Sequence, residues 1–97
     1  MQLARGIQQL HEVNIIHRDI KLENILMSDK TEDAQLRISD FGSSVKLNSH
    51  DEKCRFKIGT PGYTSPEVYK NEPYGLKIDI WGIGIIMFVI LTAKLPF

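Results

Sequence analysis

The stretch His17-Arg18-Asp19-Ile20-Lys21-Leu22-Glu23-Asn24 decides how this chain folds. It places a carboxylate, an ammonium and an amide within six positions, at Asp19, Lys21 and Asn24. Apolar runs flank the stretch at residues 13–16 and 25–27. An acid and a base in a buried segment are costly unless they are paired or used. The pattern therefore indicates a polar site held between two apolar anchors.

The composition of the chain restricts its class. Its 97 residues make at most one small domain, and 42% hydrophobic with 25% charged residues is typical of a globular protein. Twelve basic and twelve acidic residues cancel, which argues against a nucleic-acid partner. The single cysteine excludes an internal disulfide and, with no signal peptide visible, favours a cytoplasmic location.

Two strands are predicted directly after the opening stretch. Residues 1–12 before it carry apolar positions at helical spacing. Ile25–Met27 and Gln35–Ser39 are typical of short strands, and the polar residues 28–33 between them indicate a turn. The resulting hairpin would return Asp40-Phe41-Gly42 to the side of the opening stretch.

The second half of the chain predicts a loop and two helices. Residues 43–58 are polar without a sustained period, which indicates an irregular surface loop. Ser65 and Pro66 have the residue types of an N-cap and a first helical position. The uncharged run Ile80–Leu91 is too short to cross a membrane, so we expect a helix buried all round, with no membrane partner. Gly82 and Gly84 would let neighbouring backbone approach that helix.

Four motifs in order give the chain a family resemblance. They are His17-Arg18-Asp19 with Asn24, Asp40-Phe41-Gly42, Ser65-Pro66-Glu67 and Asp79-Ile80-Trp81. Together they resemble the large-lobe signatures of eukaryotic protein kinases of the serine/threonine type. Within that superfamily, residues 59–68 and 73–75 most resemble the calcium/calmodulin-dependent kinase group.

The resemblance implies an α+β, protein-kinase-like fold: a mainly α-helical large lobe with a short β-hairpin. Residues 1–97 would be a partial kinase domain without a small lobe. It would contain the end of a helix, a catalytic loop at 17–24, an activation segment at 40–67 and a buried helix at about 76–92.

The same resemblance implies roles for individual residues and the cofactors ATP and Mg²⁺. Asp19 would accept or orient the proton of the substrate hydroxyl, Lys21 would neutralise the transferring phosphoryl group, and Thr60 would hydrogen-bond Asp19. Asn24 and Asp40 would hold Mg²⁺, whose preferred ligands are oxygens.

Further implied roles are structural or concern the nucleotide. Leu26, with its neighbours Ile25 and Met27, would floor the adenine site. His17 and Phe41 match a pair that stacks in the family's hydrophobic spine. Asp79 would accept backbone N–H bonds from the turn at residues 17–19.

The sequence departs from the family at the usual phosphosite. Arg18 matches an arginine that in many kinases pairs with a phosphorylated loop residue. That phosphosite is occupied here by Phe56, which carries no hydroxyl, so activation by loop phosphorylation is not expected. Three serines remain as alternative sites farther away, at positions 43, 44 and 49.

The expected partner is a protein substrate phosphorylated on Ser or Thr. Glu23 stands where basic-directed kinases face a substrate arginine, although a plain surface glutamate is equally compatible. The regulator is not identifiable from the residues.

Within the 97 residues neither a glycine-rich phosphate loop nor the strand lysine of kinases occurs, so a fragment inactive by itself is expected. The alternative is a non-catalytic, pseudokinase-like product that keeps only a docking surface.

Overall fold

The computed structural model describes residues 2–28 and 34–93. Within these residues, three helices and four short strands follow one another. They are α1 (Gln2–Glu12), β1 (Ile15–Ile16), β2 (Ile25–Met27), β3 (Leu36–Ile38), β4 (Val45–Lys46), α2 (Pro66–Tyr69) and α3 (Lys77–Thr92). Single 3₁₀ turns lie at Leu22–Asn24 and Phe41–Ser43. This mixture of helices and small antiparallel sheets agrees with the predicted α+β class.

Helix α1 is amphipathic, as its spacing predicts. Leu3 and Ile7 are buried on one face, while the glutamines at positions 2, 8 and 9 are exposed on the other. The helix ends at Glu12, and Asn14 then takes a left-handed conformation with φ of 64°. Asparagine tolerates this conformation better than most residues, so it redirects the chain into β1.

The predicted hairpin is present. Strands β2 and β3 pair antiparallel, with Ile25 opposite Ile38 and Met27 opposite Leu36. Beyond the strands the pairing continues at Ser28, whose N–H donates to the Gln35 carbonyl over 2.9 Å. The rest of the predicted turn, residues 29–33, lies outside the described residues.

A second strand pair was not predicted. Strand β4 lies within residues 43–58, which the sequence indicated to be irregular, and it pairs antiparallel with β1. The Leu47 N–H extends this pairing by donating to the Asn14 carbonyl over 2.7 Å. Two-residue strands carry too little periodicity to be recognised from sequence. Leu47, the residue directly after β4, is buried in the same core cluster as Ile16 of β1.

In the described part of the chain, the core consists of two clusters on either side of the 17–19 turn. The first cluster contains Ile16, Leu47, Val68, Tyr74, Leu76 and Ile78. The second contains Leu3, Ile7, Ile20, Ile83 and Ile86. Ile16 immediately precedes the turn and Ile20 immediately follows it. The turn is therefore anchored at each end in a different cluster, as the flanking apolar residues suggested.

Helix α3 is only partly buried, which corrects the prediction that it is buried all round. Ile83, Ile85 and Ile86 are buried, but Ile90 is 67% exposed and Leu91 is 81% exposed. Among the described residues, α1 and the 17–20 loop cover one face of α3, and its last turns extend beyond both. No helix in the described part of the chain has the length and apolarity needed to cross a membrane.

The two helix glycines differ. A Cβ built on Gly82 would lie 2.8 Å from the Ile20 Cβ and 3.0 Å from the Ile20 carbonyl oxygen, whereas one on Gly84 would meet nothing within 4 Å. Close approach of the backbone therefore explains Gly82 but not Gly84, where the expectation of close packing was wrong.

Helix α2 begins where expected but without the expected cap. Ser65 occupies the N-cap position and Pro66 the first helical position, yet the Ser65 side chain makes no capping hydrogen bond. Its hydroxyl is buried and has no hydrogen-bond partner among the described residues. The start of this helix therefore depends on proline geometry and on burial of Val68 rather than on a serine cap.

Alanine substitutions at the two α3 glycines should have opposite effects on stability. Gly82→Ala should lower the free energy of unfolding by about 1–3 kcal/mol, because Ile20 must move to admit the methyl group. Gly84→Ala, the matched control, should raise it by about 1 kcal/mol through helix propensity. Urea unfolding measures both, and equal effects at the two positions would contradict the close approach at Ile20.

Candidate active site

The backbone of the 17–19 turn is held by one buried carboxylate. Asp79 is 1% exposed, and it accepts the His17 N–H at 2.8 Å and the Arg18 N–H at 3.0 Å, one on each oxygen. Arg18 has a φ of 72°, which is uncommon for a residue with a side chain. Such backbone persists where surrounding contacts over-determine it. The expected contact of Asp79 with this turn is confirmed.

His11, which the sequence analysis did not single out, completes the environment of Asp79. The His11 Nε2 lies 3.0 Å from the Asp79 Oδ2, and the two residues are 68 positions apart. His11 projects from the last turn of α1 and is largely buried in this contact. Its sequence neighbourhood carries no signal for the pairing, because the partner is brought near only when α3 packs against α1.

The hydrogen bonds of His17 define its tautomer. Its side chain is fully buried, and its Nε2 lies 2.8 Å from the Ser39 carbonyl, which can only accept. Its Nδ1 accepts the Asp19 N–H over 3.2 Å. The tautomer with its proton on Nε2 satisfies both hydrogen bonds, and the ring thereby orients the Asp19 backbone. The expected contact with Phe41 is present as an edge-to-face pair at 5.0 Å between centroids.

Three predicted catalytic residues form one cluster. The Thr60 hydroxyl donates to the Asp19 Oδ1 over 2.7 Å and accepts a hydrogen bond from the Lys21 Nζ over 2.9 Å. The Lys21 Nζ also lies 3.7 Å from the Asp19 Oδ2. All three side chains are partly exposed, so the cluster is accessible from solvent. An acceptor carboxylate and an ammonium group therefore lie side by side, with a hydroxyl between them.

The two predicted metal ligands lie on chain segments connected through Ser39. Asn24 is buried, and its Nδ2 donates to the Asp19 carbonyl over 2.7 Å. Its own carbonyl accepts the Ser39 N–H at 2.8 Å and the Ser39 hydroxyl at 3.1 Å. The next residue, Asp40, is exposed and left-handed, with a φ of 59°, and its Oδ1 accepts the Gly42 N–H over 3.4 Å. The hairpin therefore connects Asp40 to the 17–24 loop.

Two of the residues predicted to floor an adenine site, Ile25 and Leu26, do not share one face of their strand. Leu26 is 50% exposed, whereas its neighbour Ile25 packs against the second core cluster. Successive residues of a strand point to opposite faces, so Ile25 and Leu26 cannot line the same surface. Leu26 therefore remains a candidate for nucleotide contact, and Ile25 belongs to the core.

The residues present are compatible with Mg²⁺ bound through a substrate. No group of three or more His, Cys, Asp or Glu in ranges 2–28 and 34–93 has the arrangement of a metal site. Magnesium often takes only one or two protein oxygens together with phosphate oxygens and waters. Asn24 offers its side-chain oxygen, since its Nδ2 is already engaged, and Asp40 offers a carboxylate.

Comparisons with known proteins identify relatives over the whole chain. The family model described as "Protein kinase domain" matches residues 1–97. The alpha chain of calcium/calmodulin-dependent protein kinase type II from Drosophila melanogaster is 38% identical over 96 residues, 99% of this chain. Serine/threonine-protein kinase PLK4 from Nematostella vectensis is 43% identical over 97 residues, 100% of this chain. Calcium/calmodulin-dependent protein kinase type II from Caenorhabditis elegans is 40% identical over 96 residues, 99% of this chain.

The chain spans a small part of these relatives. It covers 18% of the Drosophila protein, 10% of the Nematostella protein and 13% of the Caenorhabditis protein. The identities are similar for the two kinds of kinase, so they do not separate the calcium/calmodulin-dependent group from the other relative.

Removing the charge of Asp79 should release the turn that it holds. Asp79→Asn keeps the shape but turns an amide donor towards a backbone N–H, so we expect about 2–4 kcal/mol lower stability and faster exchange of the His17 and Arg18 amides. Asp51→Asn, on the exposed loop, is the matched control and should change neither. Unfolding in urea and amide exchange followed by NMR measure both effects. Unchanged exchange at residues 17 and 18 would contradict the role given to Asp79.

Proposed function

The chain belongs to the protein kinase domain family, and on that premise we propose that it is part of a serine/threonine protein kinase. The proposed reaction is transfer of the γ-phosphoryl group of ATP to a Ser or Thr hydroxyl of a protein. The observation that carries the proposal is the cluster in which Asp19, Thr60 and Lys21 lie within 2.7–3.7 Å of one another.

The cluster contains the groups that phosphoryl transfer requires. The reaction depends on positioning and charge stabilisation more than on covalent catalysis. Asp19 accepts the proton of the substrate hydroxyl or orients that hydroxyl, with one oxygen held by Thr60 and the other on the side of Lys21. Lys21 neutralises charge on the transferring group. Thr60 holds both side chains in place, because its hydroxyl donates to one and accepts from the other.

ATP and Mg²⁺ are the proposed cofactors. When bound, the metal neutralises phosphate charge and orients the transferring group. The side-chain oxygens of Asn24 and Asp40 would hold it, Lys21 would contact the nucleotide phosphates, and Leu26 would contact the adenine. The polar groups that support this proposal are the fixed Asn24 amide and the exposed Asp40 carboxylate.

We further propose that these residues form part of the large lobe. The catalytic loop would be residues 17–24, the activation segment residues 40–67, and the central helix α3. The 97 residues include neither the glycine-rich loop nor the strand lysine that kinases use to hold the phosphates. By themselves they should therefore transfer phosphate very slowly or not at all.

The preferred substrate is proposed to carry basic residues before the phosphoacceptor. Glu23 supports this proposal because it is exposed in the turn between Lys21 and Asn24 and presents a carboxylate there.

A cytoplasmic location is also proposed, since the chain has a single, free cysteine. The alternative is a non-catalytic product that keeps only a docking surface, and nucleotide binding separates the two.

Binding of Mg²⁺-ATP tests the proposed site directly. The protein should bind a fluorescent ATP analogue in the presence of Mg²⁺, and Asp40→Asn should weaken binding at least about tenfold because a metal ligand loses its charge. Asp51→Asn serves as the control for the loss of one negative charge and should bind normally. A protein that binds no Mg²⁺-nucleotide would instead support the docking alternative.

Phosphate transfer tests the inactivity of the 97 residues and the role of Asp19 together. With radiolabelled ATP and a serine peptide preceded by arginines, the protein and its Asp19→Asn variant should incorporate equal, background amounts of phosphate. Turnover at about 1 s⁻¹ or more in the protein, abolished by Asp19→Asn, would overturn the proposed inactivity. It would at the same time support Asp19 as the catalytic acid–base residue.

A further inference from the structure

The side chain of Arg18 makes hydrogen bonds that differ from the phosphate pairing implied by the family resemblance. Its Nε donates to the Ser43 carbonyl over 2.6 Å and its Nη1 donates to the Tyr74 hydroxyl over 3.2 Å. Both acceptors are neutral, and among residues 2–28 and 34–93 no carboxylate lies within 4.0 Å of this guanidinium. The arginine whose counterpart in many kinases pairs with a phosphate therefore contacts a carbonyl and a phenol here.

Tyr74 extends this contact to the opposite end of the loop. Its ring is 2% exposed within the first core cluster, and its hydroxyl donates to the Phe56 carbonyl while accepting from Arg18. One phenolic O–H and one lone pair satisfy both bonds. Because the hydroxyl is buried, each bond is stronger than it would be in water.

The backbone of Tyr74 holds the same segment. The Cys54 N–H donates to the Tyr74 carbonyl over 2.6 Å, and the Tyr74 N–H donates to the Cys54 carbonyl over 2.8 Å. Tyr74 therefore binds residues 54 and 56 at once, by its backbone and by its side chain. Arg18 meanwhile holds residue 43, so both ends of the segment at residues 43–58 depend on this pair.

We propose that Tyr74 is a positioning residue that takes the place of an activating phosphate. In this proposal Arg18 reaches the backbone of residue 56 through the Tyr74 hydroxyl instead of pairing with a phosphorylated side chain there. The 43–58 segment is then ordered without phosphorylation, and it leads directly to Gly59 and Thr60, which bonds Asp19.

The surroundings of Phe56 favour this proposal over the alternative that the segment is ordered by a phosphorylated side chain at position 56. Its side chain is 74% exposed, so the segment is held at this point by the carbonyl and not by the ring. A phosphate would add about two negative charges and must be attached to a side-chain hydroxyl, which Phe56 does not have. The carbonyl needs neither, and any side chain at position 56 would leave the link intact.

The proposal depends on the proposed kinase function only for its consequence, activity that needs no phosphate in this segment. The hydrogen bonds are testable without nucleotide or substrate. Failure to bind Mg²⁺-ATP would therefore refute the proposed function, whereas the exchange measurement below refutes or supports the Tyr74 link alone.

Amide exchange in protein shown by intact mass to be unphosphorylated provides the test. The Cys54 amide should be protected in this protein, and Tyr74→Phe should accelerate its exchange about tenfold relative to the Ile86 amide in α3, because only the hydroxyl is lost. Tyr69→Phe removes a hydroxyl from an exposed ring and should have no effect. An unprotected Cys54 amide in the parent protein, or equal acceleration at residues 54 and 86, would overturn the proposal.

A double-mutant cycle separates the link from a general role of Tyr74 in the core. Arg18→Met leaves the buried ring in place and should accelerate Cys54 exchange by a smaller factor, about threefold, because the hydroxyl still reaches Phe56. In the double variant the rate should equal that of Tyr74→Phe alone, since Arg18 acts on residue 54 through the hydroxyl. Multiplicative effects of the two substitutions would show independent actions and overturn the link.

Discussion

The structure depends on the Asp79 carboxylate, which accepts the backbone N–H groups of His17 and Arg18 from beneath. A buried carboxylate is costly unless its oxygens are satisfied, and these bonds together with His11 satisfy them. In return the carboxylate stabilises a left-handed arginine backbone, which few residues adopt unaided. A helix, a turn and a histidine from a second helix are thereby connected at one point.

Two consequences follow for the site above this point. Because the turn is fixed, the Asp19 side chain meets Thr60, and the Arg18 side chain leaves in the other direction towards Tyr74. The close approach of Gly82 to Ile20 keeps the loop at residues 17–20 in direct contact with α3. The same short turn therefore positions the cluster of Asp19, Lys21 and Thr60 on one side and the 43–58 segment on the other. A change in the turn is therefore expected to disturb both the cluster and the 43–58 segment, because both contact the same three residues.

Much of the local structure could be predicted from the sequence, and the failures have physical causes. The hairpin strands and the start of α2 were recognisable because their signals are local: alternation, turn residues and a proline. Strand β4 was missed because two residues show no period, and its partner lies thirty positions earlier in the chain. The extent of burial of α3 was overestimated because apolar composition shows what a helix can bury and not what is present to cover it.

By itself the sequence determined the order and chemistry of the motifs, and hence the family of the chain and the candidate residues Asp19, Lys21, Asn24 and Asp40. Only the tertiary structure decided which groups these residues meet. His11 and Asp79 are 68 positions apart, and Arg18 and Tyr74 are 56 apart, so no local pattern connects them. Hydrogen-bond partners of this kind are selected when the two core clusters pack. Packing brings distant donors and acceptors into low-dielectric surroundings, where leaving them unpaired would be costly.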